Sequence, residues 1–89
     1  MFCVYVLLSQ KSKRLYVGST GDIRKRIREH NEGKVRSTKA YRPWQLVFYE
    51  GFRGKADALR DEKFYKTGFG KEALKSKLKE TLWEGWLNG

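Results

Sequence analysis

Tyr5, Tyr16, Arg26, His30 and Glu62 are the side chains whose types and positions could do chemistry together. A planar guanidinium such as Arg26 can clamp a phosphate. A lone carboxylate such as Glu62 can hold one hard divalent cation, Mg²⁺ or Mn²⁺, which keeps most of its waters. A cation there would stabilise charge developing on a phosphoryl group. A tyrosine or His30 could help to take the proton of an attacking water. Each residue also has a plainer role open to it. Paired strand tyrosines commonly pack half-buried. A histidine at a helix end is favoured by the dipole. Glu62 can pair with Lys66 one turn on. One Cys and one His cannot form a Cys/His metal cluster, and nothing suggests a serine triad or a Walker-type phosphate loop. The run GSTGD ahead of a helix is a weak anion-binding signal.

Those five residues need a scaffold, and the first thirty positions supply most of it. FCVYVLLSQKSKRLYVGST holds two apolar runs around a basic turn, Ser9 to Arg14. If Leu8 faces Leu15 in an antiparallel hairpin, then Tyr5 faces Gly18 and Leu7 faces Tyr16. Alternation along strands then puts Val4, Val6, Leu8, Leu15 and Val17 on one face and Tyr5, Leu7, Tyr16 and Gly18 on the other. A slip by one residue would place a tyrosine among the aliphatics, so the pattern selects this register. Thr20 or Asp22 can cap a helix that runs to about Asn31 and stops before Gly33. Its narrow inward stripe is Ile23, Ile27 and His30, with Arg26 at the border.

Glu32 to Arg42 reads as a basic loop, closed by Pro43. Trp44 to Phe52 reads as a third strand, with Trp44, Leu46 and Phe48 on one face and Val47 and Tyr49 on the other. A helix over roughly Lys55 to Thr67 carries Ala58, Leu59 and Tyr65, and Glu62 lies on that apolar stripe. A carboxylate is seldom buried without a partner, which makes the placement informative. Gly68 and Gly70 are expected to break this helix. A last one begins near Lys71, with Leu74, Leu78, Leu82 and Trp86 in a stripe that Trp83 and Leu87 widen.

The 89 residues fit one domain, 1–89, with a thin core. Lysine and arginine number 20 against 10 acids, a net charge of +10, which suits a polyanion and above all nucleic acid. Lys13, Arg14, Arg24, Lys34, Arg36, Lys39 and Arg42 are the expected nucleic-acid contacts. One cysteine permits no internal disulfide, so a reducing, cytoplasmic setting is expected. No run approaches the roughly 20 apolar residues of a membrane span, and the longest, Phe2 to Leu8, is short for a signal sequence.

CVY at 3–5, YVGST at 16–20, the helix DIRKRIREHN, then RPWQLVFYE and ADALRDEKFYK follow in order. This ordered set resembles the GIY-YIG nuclease superfamily over roughly residues 2 to 80. It is most similar to a small single-domain bacterial group related to the nuclease domain of structure-specific endonucleases. The resemblance implies an α+β fold, a three-stranded antiparallel sheet flanked by helices in β-β-α-β-α-α order. It also implies metal-dependent cleavage of DNA phosphodiesters. Matched residue by residue, the motif tyrosines are Tyr5 and Tyr16, the helix arginine is Arg26, the histidine is His30 and the metal-binding glutamate is Glu62. Which phenol acts as base stays open, with the weight on Tyr5. Cys3 and Val4 stand where the first motif has Gly and Ile, and Val17 where the second has Ile. A late asparagine used by some members has no clear counterpart, Asn88 being terminal. The expectation is a DNA endonuclease of low sequence specificity that could select by structure. The alternatives are a non-catalytic nucleic-acid-binding module of the same fold and a protein-interaction subunit or dimer using the C-terminal aromatic stripe.

Overall fold

A computed structural model describes residues 1–88, with side chains as far as residue 84. Strands β1 (Phe2–Ser9), β2 (Leu15–Thr20) and β3 (Trp44–Phe52) form one antiparallel sheet in the order β2-β1-β3. Helix α1 (Ile23–Asn31) follows β2. Helices α2 (Lys55–Tyr65), α3 (Gly68–Lys77) and α4 (Lys79–Asn88) follow β3. The class is α+β, as the sequence implies. Among the described residues, no helix is long and apolar enough to cross a membrane.

The hairpin register is the one the alternation requires. Leu8 faces Leu15, Leu7 faces Tyr16 and Tyr5 faces Gly18. Val4, Val6, Leu8 and Val17 join Ala58, Tyr65, Leu74, Leu78 and Leu82 in one core, with Leu15 packed against it. The opposite face is buried too. Tyr5, Leu7 and Trp44 form a second core against Tyr16, Ile23 and Ile27. The sheet is thus sandwiched, with α1 on one side and α2 and α3 on the other.

β3 departs from the simple alternation. Its pairing with β1 shifts between Val6 and Leu7: Leu46 faces Leu7, whereas Phe48 faces Val6. Val47 is the extra residue of a bulge, and a bulge turns the strand over locally. Phe48 therefore leaves the face of Trp44 and Leu46, and it packs with Val47 on the aliphatic core. The expected shared face of Trp44, Leu46 and Phe48 is corrected by this one insertion.

The glycines after α2 do not break a helix so much as begin one. Thr67 caps α3, its hydroxyl accepting from the Gly70 N–H at 3.0 Å. A Cβ at Gly70 would run into the Phe64 carbonyl, so glycine lets α3 turn tightly against the end of α2. The expected single C-terminal helix is two, because the chain leaves helical geometry at Leu78 (φ −105°, ψ 22°). Leu74, Leu78 and Leu82 are buried as their spacing requires, but Trp83 is 57% exposed and so is much of Leu59, at 47%. Trp86 and Leu87, the rest of the expected aromatic stripe, have side chains outside the described residues.

One carboxyl pair lies on the aliphatic side. Burial, then a hydrogen bond and charge from Glu50, push the Asp61 carboxyl up to about 6. A carboxyl raised in the folded state stabilises fully below its unfolded pKa, and that contribution is lost as pH rises through the folded value. At pH 7 Asp61 is therefore a cost. Asp61→Asn should gain roughly 1 kcal/mol at pH 7, raising the melting temperature by about 4–8 °C. Thermal unfolding at pH 7 and pH 4 checks it, the gain vanishing at the lower pH.

Candidate active site

Tyr5 projects from the central strand and Tyr16 from its neighbour, both beneath α1. Asp22 sets the start of α1 by accepting from the Lys25 N–H at 3.1 Å. Its far end is clamped to β3: the Asn31 amide donates to the Trp44 carbonyl at 3.0 Å and accepts from the Trp44 N–H at 2.7 Å. Held at both ends, α1 lowers His30 between the phenols. The ring centroids lie 5.7 Å apart for Tyr5–His30, 5.0 Å for Tyr16–His30 and 6.3 Å for Tyr5–Tyr16. The Tyr5 hydroxyl is 2.8 Å from His30 Nε2. Across the ring, His30 Nδ1 is 2.8 Å from Thr38 Oγ1.

Arg26, one turn before His30, faces the Tyr5 phenol and pairs with Glu29 at 3.2 Å. Contact with Tyr5 raises the guanidinium's pKa above its ordinary value. Tyr5 itself is pushed up to about 12, chiefly by burial, with the Arg26 guanidinium working against that rise. His30 is lowered to about 4 by burial and then by the charge of Arg26. It is neutral at pH 7.

Glu62 approaches the β2 edge from the other side of the sheet. β2 is an edge strand, and Ser19 near its end shares a face with Val4. The Ser19 hydroxyl donates to Glu62 Oε1 at 2.6 Å, and Lys66 donates to Oε2 at 2.7 Å. The Lys66 ammonium lies 6.0 Å from the Tyr16 ring centre, so the pair wraps the strand edge. Burial opposes ionisation of Glu62, but Lys66 and then Ser19 outweigh it and hold the carboxyl below its ordinary value. The Glu62 charge is felt at Tyr5. Ser19 and Arg26 line one cleft of about 470 Å³ with Thr20, Asp22 and Glu29. Among the described residues no group of three or more His, Cys, Asp or Glu could form a metal cage. A single partly exposed carboxylate still suits a hard cation that relies on waters and substrate oxygens for its remaining ligands.

The seven expected nucleic-acid contacts are not gathered in one place. Arg36, Lys39 and Arg42 line a cavity of about 710 Å³ together with Lys11, which the sequence did not single out. Lys11 and Arg42 are held by the carbonyls of Ala40 and Lys39, at 3.2 and 2.9 Å, and no acidic residue lines that cavity. Arg14 lies over the Tyr41 ring at 4.3 Å, near this loop. Lys13 is exposed at the hairpin turn, Arg24 is exposed on α1, and Lys34 pairs with Glu32 at 3.2 Å. Sequence reasoning also missed Ser19 and Thr38. Ser19 had a faint signal, as a polar residue on the aliphatic face of β2. Thr38 had none, being one small polar residue within a basic stretch.

The depressed His30 carries a stability consequence. The unfolded ring takes its proton near 6.5 and the folded one near 4. His30 thus contributes stability above about pH 6.5, which is lost as pH falls towards 4, by roughly 3 kcal/mol in all. Urea midpoints measured from pH 7 to 4 should fall more steeply for the native chain than for His30→Gln, by about that amount.

Comparison with known proteins places the chain in a family. The chain is 42% identical over 67 residues to the structure-specific endonuclease subunit slx1 of Schizosaccharomyces japonicus, covering 68% of this chain and 24% of that protein. It is 36% identical over 63 residues to the UPF0213 protein YazA of Bacillus subtilis, covering 70% of this chain and 64% of that one. A UPF0213 protein of Staphylococcus saprophyticus is 44% identical over 66 residues, covering 73% of this chain and 80% of that one. The chain therefore spans about a quarter of the slx1 subunit and just under two thirds of YazA. The solution structure of a UPF0213 protein from Bacillus halodurans superposes with a TM-score of 0.53 at 35% identity, covering 85% of this chain and 84% of that one. The GIY-YIG catalytic domain model matches residues 1–78, a span that includes Tyr5, Tyr16, Arg26, His30 and Glu62, and so the chain belongs to the GIY-YIG family.

Proposed function

We propose that this protein is a metal-dependent DNA endonuclease that hydrolyses phosphodiester bonds, with little sequence specificity and a preference set by DNA structure. The observation that carries this reading is the Tyr5–His30 hydrogen bond beneath α1, with Glu62 fixed by Ser19 on the neighbouring edge strand β2. Family membership supports it, as does the likeness to a subunit of a structure-specific endonuclease. A net charge of +10 suits a DNA backbone as partner, in the cytoplasm.

Arg26 holds a non-bridging oxygen of the scissile phosphate and neutralises charge as it builds. Glu62 would hold one Mg²⁺ or Mn²⁺, its carboxylate oriented by Ser19, and the cation would supply Lewis-acid stabilisation of developing charge. Water attacks phosphorus, a P–O bond forms and the bond to the leaving oxygen breaks. The water proton passes to Tyr5. A preformed phenolate is not the base, because ionising a phenol of pKa about 12 at pH 7 would cost roughly 7 kcal/mol. Tyr5 instead releases its own proton towards His30 as it accepts one. Burial and, after it, the Arg26 charge keep His30 from taking that proton, and a phosphate on Arg26 offsets the second of these. The basic cavity by Arg36, Lys39 and Arg42 holds flanking backbone.

The test is incubation with supercoiled plasmid, with and without Mg²⁺ or Mn²⁺. Conversion to nicked circles only with the cation supports the enzyme. Salt-sensitive retention of plasmid with no cutting in either cation would leave a binding module instead.

A further inference from the structure

Thr38 is 1% exposed, whereas Arg36, Ser37, Lys39 and Ala40 around it are exposed. It is fixed from several sides. Its carbonyl accepts from the Trp44 indole at 2.9 Å and from the Tyr41 N–H at 3.1 Å, and its own N–H donates to Val35 at 3.2 Å. Its hydroxyl meets His30 Nδ1 at 2.8 Å and the Val35 carbonyl at 3.4 Å. A buried hydroxyl so fixed beside a histidine can decide where the ring carries its proton.

We propose that Thr38 is a positioning residue that holds His30 in the Nδ1–H tautomer, leaving Nε2 bare towards the Tyr5 hydroxyl. The assignment follows from counting donors. The Tyr5 hydroxyl is buried, and among the described residues its one hydrogen-bond partner is His30 Nε2. The Tyr5 O–H needs an acceptor, and Nε2 is the one at 2.8 Å. A neutral ring with bare Nε2 carries its hydrogen on Nδ1, which donates to Thr38 Oγ1. The Thr38 O–H is left to the Val35 carbonyl, and each hydrogen has one acceptor. The opposite tautomer would aim its Nε2–H at the Tyr5 oxygen and leave the buried phenol hydrogen with no acceptor among the described residues.

The consequence for chemistry rests on the nuclease reading. Only a bare Nε2 can receive the Tyr5 proton. In the step, the Tyr5 O–H bond breaks, an N–H bond forms at Nε2, and the water proton replaces the one Tyr5 gave up. Thr38 touches neither water nor phosphate and acts through His30.

His30 is the only histidine in the chain, so the ring nitrogens of ¹⁵N-labelled protein give one unambiguous spin system. At pH 7 the native chain should show a protonated Nδ1 and an unprotonated Nε2. Thr38→Val keeps the shape and loses the acceptor. It should mix or reverse the tautomers and lower kcat for plasmid nicking about a hundredfold with little change in KM. Thr38→Ser should restore both. A protonated Nε2 in the native chain overturns the proposal, as does a Thr38→Val variant that nicks like the native chain. Thr38→Ser behaving like Thr38→Val would show that the methyl group's packing matters, and would also overturn it. If the native chain cuts no DNA, the nuclease reading falls, and the ring nitrogens still decide the tautomer that Thr38 sets.

Discussion

Glu62→Gln should lower cation-dependent nicking by about a thousandfold or more while leaving the fold in place. The amide keeps the carboxylate's shape and can still accept from the Ser19 hydroxyl, but it carries no charge to hold a cation. Losing about 4 kcal/mol of transition-state charge stabilisation is a factor of about 10³ in rate. Stability should move far less. The carboxylate's partner Lys66 has a half-exposed side chain, and ion pairs of that kind contribute about 0–1 kcal/mol. Nicking rates across a Mg²⁺ series, beside urea midpoints for both proteins, check the two halves together. A rate within threefold of the native chain at any Mg²⁺ concentration would remove Glu62 from the mechanism.

Gly18→Ala should disable the site through Tyr5 without touching Tyr5 itself. A Cβ at position 18 would strike the Tyr5 hydroxyl, and would lie 2.6 Å from Tyr5 Cζ and 3.1 Å from Tyr16 Cε1. Real Cβ atoms do not approach so closely, so the phenol must move. It has nowhere to go at no cost, since Tyr5 is 1% exposed and its hydroxyl already meets His30 at 2.8 Å. A displacement near 1 Å can cost about a hundredfold in rate, and overpacking of this kind costs about 1–3 kcal/mol. Adding Tyr5→Phe to Gly18→Ala removes the colliding oxygen and should recover part of the stability but none of the activity. Nicking rates and urea midpoints for the single and double variants separate the two effects.

The hairpin was legible because its residues differ so sharply by face. Five aliphatics on one face alternate with two phenols, Leu7 and a glycine on the other, and only one register keeps the phenols out of the aliphatic face. Glu62 was legible for the opposite reason, as a charge where an apolar side chain would be expected. The bulge at Val47 left no trace, because Leu46, Val47 and Phe48 are all apolar and an inserted apolar residue looks like any other. The break at Leu78 was hidden too. Leu74, Leu78 and Leu82 keep helical spacing across it, and the lysines on either side are good helix formers. The approach of Glu62 to the β2 edge depends on a helix far along the chain. Local pattern cannot encode such a meeting. Thr38 is the extreme case: its significance comes wholly from what it touches.

β1 lies at the middle of the sheet, and Val4 to Ser9 are all buried. Alternate positions of that single strand feed the aliphatic core and the layer holding Tyr5, so neither can melt while the other survives. In a domain this small, global unfolding is then the cheapest way to dismantle the layer that holds Tyr5. That layer is as durable as the whole molecule. Freedom to vary without loosening it lies at the periphery, in the hairpin turn and the cationic loop, where the sheet demands nothing.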